Sequence, residues 1–540
     1  IPLDILGGFN FLDLFDYQNA CRWLCRTNAY SLIFMLGKGE NSKIENFDIF
    51  IIGGGVNGAG ILRDATGRGL KAGLAEMNDF GSATSSASTK LFHGGLRYLE
   101  SYQFRLVKEA LAERDILLNL MPHISWPLQF VLPHKKGLRP YWMLRFGLYL
   151  YDFLARNSKL PRSGGLNLDK DISGKYLKNV SKKALQYSDC WVEDSRLVFL
   201  NIKDALNRGA KAFSYSKVTK IIKEEKNWLV TIKGKKGDFK VRAPVIINAV
   251  GHWIEEFKEI FGEPVKSEVV RLVKGSHIVV KKIFNHDKAY ILQGEDGRII
   301  FCIPYEENFT LIGTTEVEHR IGNQIKCSDE EKEYLCNFAS KYFKKKVSTK
   351  DIVWEYSGVR ALHENKNIKA KDASRDYFLD LERIDKISCL SVYGGKITAY
   401  RKLSEKVVSK ISKTLGLKTS EWTSTESLPG GDFRLSEKRA IIEKLIKDYP
   451  FLTRSWADRL FKTFGTQTNT VIGSAKNLKD MGKKFGSDLT EKEVNWFLEN
   501  EYVYTVEDLI WRRTKIGLRL SKQEIKALDL YIKKRLKKRS

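Results

Sequence analysis

Gly53, Gly55 and Gly58, followed by an acid at Glu76, are the residues of this chain whose types and spacing most directly specify chemistry. Gly53 permits a tight turn and Gly55 lets the backbone approach a pyrophosphate. Gly58 lets a helix pack closely on the preceding strand, so that the anion faces a helix N-terminus. Glu76 falls near the ~20-residue offset at which an acid meets a ribose hydroxyl. Such a glycine triplet carries meaning only in context, and the context is present. An apolar, β-branched run (Ile49–Ile52) precedes the glycines, Ala59–Ala65 is compatible with a helix, and Lys71–Ala75 is a second short strand that ends at Glu76. The reading is a Rossmann-type unit that binds a dinucleotide. Residues 82–90, which include Thr84, Ser85 and Ser86, are small and rich in hydroxyls, as suits a chain packed along a ligand with many oxygens. Flavin adenine dinucleotide (FAD) fits this better than a nicotinamide; an ordinary Ser/Thr loop is the alternative.

The elements that must position these residues follow from periodicity. At 540 residues the chain exceeds one ordinary core, and two or three domains with ample buried area are expected. Phe104 to Leu120 carries apolar residues at helical spacing and reads as an amphipathic packing helix. From about 210 to 320 short alternating runs separated by turn signals indicate an antiparallel sheet, where a substrate-covering domain would sit. Between its strands, Ala243 to Gly251 reads as a buried parallel strand ending in a glycine, returning the chain to the dinucleotide domain. Leu428-Pro429-Gly430-Gly431-Asp432 is a break, after which the period is helical and the composition charged. The expected fold class is α/β: a Rossmann-type FAD-binding domain interleaved with an antiparallel-sheet substrate domain over 47–425, and a C-terminal helical domain over 426–540.

The string from Phe50-Ile51-Ile52-Gly53 to His93-Gly94-Gly95-Leu96-Arg97-Tyr98-Leu99-Glu100 resembles the bacterial respiratory, FAD-dependent glycerol-3-phosphate dehydrogenases. Further matching segments are Tyr187–Trp191, Lys274–Val279, Ile312–Thr315, Tyr356–Arg360 and Gly394-Gly395-Lys396, so that the resemblance covers about residues 47 to 540. It implies FAD as cofactor, oxidation of sn-glycerol 3-phosphate to dihydroxyacetone phosphate, and transfer of electrons to a membrane quinone. Such a reaction needs a cofactor face, a base for the hydroxyl proton and cations for the phosphate. Arginine suits the phosphate because its planar fork binds two oxygens at once, and Arg97, Arg360 and Arg375 lie in segments resembling the family's substrate-binding motifs. Tyr98 is a further candidate for a hydrogen bond to the phosphate. Histidine suits the base; of the eight present, His93 and His277 lie in the matching motifs, and the sequence does not choose between them. The resemblance places Lys396 near the flavin or substrate, where a cation stabilises developing negative charge, with Gly251 and Gly395 among the cofactor-binding residues. One departure is Gly251-His252-Trp253, where the family has a small residue or proline before Trp; it bears on the local turn only.

Composition limits the alternatives. Basic residues number 92 against 65 acidic, a formal charge of +27, which favours anionic partners. The lysines are scattered and no arginine-rich motif occurs, so a nucleic-acid-binding flavoprotein is a rival suggested by charge alone and nucleic acid is not an expected partner. The closer rival is an oxidase of the same substrate that uses oxygen. Seven cysteines form no CxxC pair and no zinc-spaced cluster, which implies no metal and a reducing compartment. No apolar stretch approaches the ~20 residues of a spanning helix. Pro140 to Ala155 is strongly aromatic with basic flanks, an interfacial composition; a buried helix or a homodimer contact is the alternative. The basic run at 533–539 suits anionic lipid, or is a solvated tail. The resemblance implies membrane association, and peripheral attachment to the cytoplasmic face of the inner membrane is expected on that ground. Residues 1–46 contain no motif, and Met35 is the expected true start, since the charges before it cancel where a presequence would be cationic.

Overall fold

A computed structural model describes residues 44–539 apart from 136, 138, 262–269, 296 and 364–376, and describes the backbone alone at Arg97, Glu255 and His363. The N-terminal segment 1–43 and Arg375 thus lie outside the described residues.

The glycine loop belongs to a six-stranded sheet in the order 378–384, 387–393, 245–248, 49–52, 72–75, 211–213. All neighbours are parallel except the outer pair Phe378–Ile384 and Ile387–Tyr393. Strand Ile49–Ile52 is buried along its whole length, as a parallel strand covered on both faces must be. Ile49 and Ile51 pack against helices Val56–Gly67, Asp194–Asn207 and Tyr400–Thr414. Phe50 and Ile52, one residue out of phase, pack on the other face against a four-stranded sheet formed by 45–46, 237–243, 228–234 and 216–223. The run Trp228–Gly234 therefore caps the dinucleotide sheet, whereas the sequence assigned it to the substrate-covering sheet.

That second sheet is larger than its pattern indicated. It runs in the order 317–318, 270–281, 309–313, 299–305, 289–293, 125–133, 183–192, 91–92, with 352–363 pairing 270–281 and 164–167 pairing 183–192. Most neighbours are antiparallel; Ala289–Gln293 runs parallel to Ser125–Pro133 and joins its two halves. One face packs on helix Asp329–Tyr342 and the other on helices Phe104–Leu120 and Tyr141–Leu154. Helix Phe104–Leu120 keeps the bounds its periodicity indicated. From Phe433 onward a separate core gathers helices Lys438–Asp448, Arg454–Phe464, Glu491–Asn500 and Lys522–Lys537 around residues such as Trp456, Phe461 and Phe497.

Helix Tyr141–Leu154 is not a buried helix. Leu148 and Tyr151 face inward, while Trp142 is 70% exposed, Phe146 and Tyr149 are each 63% exposed and Phe153 is 58% exposed. Tyr102, 80% exposed, adds a further aromatic surface near the start of helix Phe104–Leu120. Among the described residues, no helix is long and apolar enough to cross a membrane.

Candidate active site

A cavity of about 410 Å³ opens where the carboxyl ends of strands 49–52, 72–75 and 245–248 meet the start of helix Val56–Gly67, the position at which open α/β sheets bind ligands. Its wall includes Gly53, Gly55, Glu76, Thr84, Ser85, Gly251 and Gly395, together with His93, Tyr98, Arg360 and Lys396. The dinucleotide loop and four of the residues proposed for substrate chemistry thus share one space.

The backbone explains the glycines. Gly53 has φ +108°, and a Cβ there would lie 2.5 Å from the Ala249 carbonyl oxygen of the adjacent strand end. Gly58 is inside the helix rather than in the wall; a Cβ on it would stand 1.9 Å from the Gly53 carbonyl oxygen. Gly55 is the N-cap and provides no side chain for the first-turn N–H groups. Ser85 Oγ accepts the Val56 N–H at 2.9 Å, and Thr84 Oγ1 donates to the Val359 carbonyl at 2.6 Å, which ties the hydroxyl-rich segment to both sheets. Glu76 accepts from Gly54 N–H at 2.7 Å and Asn78 N–H at 2.8 Å. Burial raises its carboxyl from the ordinary range, against the pull of these two amides. Gly251 opens a short 3₁₀ turn through Trp253. His252 keeps that turn, its ring centroid 3.7 Å from that of Trp253, and burial pushes its imidazole down to about 4 with help from His319.

Two of the expected site residues stand off the cavity wall. Ser86 does not line the cavity; its hydroxyl donates to the Ala83 carbonyl at 3.1 Å and shapes the turn. His277 is 1% exposed and stands behind the wall, not in it. Its Nε2 is 3.0 Å from Thr89 Oγ1, which does line the cavity, and its ring stacks on Tyr356 at 4.9 Å. Burial, then Arg360 and Lys90, hold its imidazole well below the usual value, so it is neutral at neutral pH.

The other residues fall as follows. His93 lies between strand Leu91–Phe92 and Gly94, whose N–H is accepted by Tyr151 Oη at 2.9 Å; Tyr151 in turn donates to Asp189 at 2.8 Å, and Arg114 closes the chain on Asp189 at 2.9 Å. Burial, then the charge of Asp189, raises the Tyr151 phenol well above its normal value, which keeps it a neutral donor. Arg97 is in the 3₁₀ turn Leu96–Leu99 beside Tyr98. Lys396 Nζ stands 3.6 Å over the Tyr98 ring, a cation–π contact. Arg360 is carried by strand Ile352–His363 opposite Val273, with Glu316 3.7 Å away.

Sequence reasoning missed the support behind the hydroxyl-rich segment. Lys90 and Asp194, both wholly buried, pair at 2.6 Å, and Asp194 also accepts the Ser88 hydroxyl at 2.8 Å. A lysine closing a Ser/Thr run, with an acid opening a helix 104 residues later, was the available signal. Asn57, also in the wall, donates to the Gly394 carbonyl at 3.2 Å, while its Oδ1 is buried without a hydrogen-bond partner among the described residues.

These residues fit FAD. Gly53 and Gly58 leave no room for a side chain, the N-terminus of helix Val56–Gly67, whose N-cap Gly55 carries none, favours an anion, and Glu76 and the hydroxyls of segment 82–90 provide acceptors and donors for a polyhydroxylated ligand.

Residues 48–381 match the FAD dependent oxidoreductase family and residues 422–533 match the C-terminal domain of alpha-glycerophosphate oxidase. Aerobic glycerol-3-phosphate dehydrogenase of Escherichia coli (strain K12) is 41% identical, covering 88% of this chain and 95% of that protein. D-erythritol 1-phosphate dehydrogenase of Brucella abortus (strain 2308) is 40% identical over 89% of this chain and 96% of that protein. Among solved structures, the FAD complex of glycerol-3-phosphate dehydrogenase from Bacillus halodurans superposes with a TM-score of 0.71 at 24% identity, covering 91% of this chain and 95% of that one. At that identity the likeness is one of fold.

Proposed function

Because this chain belongs to the family of FAD-dependent glycerol-3-phosphate dehydrogenases, we propose that it oxidises the secondary alcohol of sn-glycerol 3-phosphate to dihydroxyacetone phosphate, with a membrane quinone as final electron acceptor. The observation that carries the reading is the shared cavity: Arg360, Lys396, Tyr98 and His93 line the same space as the dinucleotide cradle. FAD, when bound, supplies the acceptor for two electrons and the carbon-bound hydrogen. Arg360 binds the phosphate dianion, and Arg97 and Arg375 are proposed partners in this on the strength of their segments. Fixing the phosphate orients the remote carbinol carbon. His93 takes the hydroxyl proton on its imidazole, a role for which a residue in the wall is better suited than His277 behind it. Lys396, held over Tyr98, offsets the negative charge that builds up on the substrate oxygen as its proton leaves.

The exposed aromatic face of helix Tyr141–Leu154 supports peripheral docking on an anionic lipid surface at the cytoplasmic side of the inner membrane, where a quinone would be met. A homodimer through that face is the competing use of the same surface.

The test is the absorption spectrum of the purified protein before and after substrate addition. Bleaching of a flavin band by sn-glycerol 3-phosphate supports the reading. Faster bleaching by D-erythritol 1-phosphate would reassign the substrate. Turnover with a quinone analogue without peroxide release separates the dehydrogenase from the oxidase.

A further inference from the structure

The cavity wall includes Glu76, Met77, Gly81 and Ser82 but omits Asp79. Asp79 points away from it and is 1% exposed. Its two carboxylate oxygens accept three hydrogen bonds from the far end of the chain. Arg513 donates from Nη2 to Oδ1 and from Nη1 to Oδ2, each at 2.8 Å, and Arg512 Nε donates to Oδ2 at 2.5 Å. Both arginines lie in the wide π-helical turn Asp508–Arg513, a rare geometry that tends to be retained for a purpose. Arg512 is also bonded to Asp508, which accepts the Tyr215 hydroxyl at 2.7 Å, and the Tyr215 N–H donates to the Asn78 carbonyl at 2.8 Å. The neighbouring Phe80, fully buried, makes an edge-to-face contact with Tyr502 at 5.8 Å.

The same short stretch is bonded to the glycine loop on its other side. Gly81 N–H donates to the Gly54 carbonyl at 2.9 Å, Gly54 N–H to Glu76, and Ser82 N–H to the Asp79 carbonyl at 3.1 Å. Any displacement of Asp79 is therefore passed to the loop that cradles the pyrophosphate. Among the described residues, none beyond 397 lines the cavity, so the C-terminal helical domain acts on it only through such contacts. A buried ion pair gains little net stability over apolar packing of the same volume, because desolvation offsets the attraction. What a forked, three-bond arrangement does define is orientation.

We infer that the C-terminal helical domain completes the cofactor site from outside, with Arg512 and Arg513 as positioning residues that hold Asp79 and, through it, the wall segment Glu76–Ser82. The inference rests on the reading of the cavity as an FAD site.

The test uses full-length holoenzyme. Arg512→Gln is the main variant, since its side chain is 16% exposed and Asp79 keeps both bonds from Arg513. Release of FAD on dilution, followed by flavin fluorescence well below the melting temperature, should rise about tenfold, the equivalent of ~1.4 kcal/mol. Arg512→Lys should restore part of it. Glu493→Gln, which disturbs the buried pair with Arg459 inside the C-terminal core, should lower the melting temperature and leave release unchanged. Hydrogen exchange in the Arg512→Gln protein should quicken at residues 77–82. Release that is unchanged in Arg512→Gln, or raised equally in Glu493→Gln, overturns the inference. A wild-type protein that carries no FAD would instead overturn the functional reading beneath it.

Discussion

Replacing Arg360 by alanine separates a substrate contact from a structural one, because the two roles leave different signatures in kinetics and in thermal stability. Its guanidinium lies 3.7 Å from Glu316, and the two side chains are 31% and 35% exposed. Exposed pairs of this kind contribute about 0–1 kcal/mol. In a protein of this size, loss of that pair by itself shifts the melting temperature by no more than roughly 2–4 °C. A charge-assisted contact to a bound phosphate dianion is worth about 2–5 kcal/mol when one partner is removed. At ~1.36 kcal/mol per decade, kcat/KM should fall about thirty-fold to several thousand-fold. Because the phosphate also orients the carbon that reacts, kcat should fall with affinity. Arg360→Lys keeps the charge but loses the fork, and should lie between the two. Steady-state kinetics, bound flavin and thermal melting measured on one preparation decide the matter. A protein that melts several degrees lower while keeping its kinetic constants would refute the phosphate assignment.

Three further outcomes are expected. Gly58→Ala puts a methyl group 1.9 Å from the Gly53 carbonyl oxygen, an overpacking worth about 1–3 kcal/mol or more; the purified variant should lack the flavin band, and full occupancy would sink the cradle argument. Trp142→Glu with Phe146→Glu, both at exposed positions, should weaken binding to anionic vesicles by about tenfold or more while melting and activity with a soluble acceptor hold steady; unaltered vesicle binding would remove this helix from the docking surface. His123 and His277 are fully buried, and burial holds both imidazoles well below 6.5, with Arg196 and Lys438 adding to the effect at His123 and Arg360 and Lys90 at His277. Their folded values are depressed, so the unfolded chain binds more protons below about pH 6.5, and stability present above that pH is lost as the pH falls, by at most ~1.4 kcal/mol per unit for each histidine. Urea midpoints at pH 7.5 and 5.5 measure this, and His123→Met, whose nitrogens make no hydrogen bond in the described structure, should flatten the dependence; an identical slope would exclude His123 as a contributor.

What could be read in advance was local. The glycine cradle, the parallel strand before it and helix Phe104–Leu120 each announce themselves by spacing or period within a short window. Strands Ser125–Pro133 and Lys183–Val192 do not. The first carries Pro127 and Pro133, which argue against a sheet interior, and the second buries Asp189 for Arg114 and Tyr151. The run Trp228–Gly234 has the alternation of a sheet strand, and nothing in alternation says which sheet. His277 shares its motif with cavity residues, but depth is a property of packing: a ring lodged against Gly313 and Tyr356 has no counterpart in residue type. The pairs Lys90–Asp194 and Asp79–Arg513 span 104 and 434 positions, and no local pattern joins them.

The order of the dinucleotide sheet has a consequence for biosynthesis. Strand Ile49–Ile52 leaves the ribosome early, yet it is flanked by Val245–Asn248, which in turn needs Ile387–Tyr393 beside it. At ~5–20 residues per second, Lys396 follows Gly58 by roughly 20 to 70 s. Strand Ile49–Ile52 has no partner on one edge until Val245–Asn248 follows it, roughly 10 to 40 s later at that rate, and loop closure over such distances makes the pairing slow. The cavity wall, which runs from Ile52 to Ile397, is complete only when most of the chain has been made, and the arginines that hold Asp79 arrive later still. A shortened chain that ends before residue 512 would be expected to emerge with its cradle built and its outer support missing.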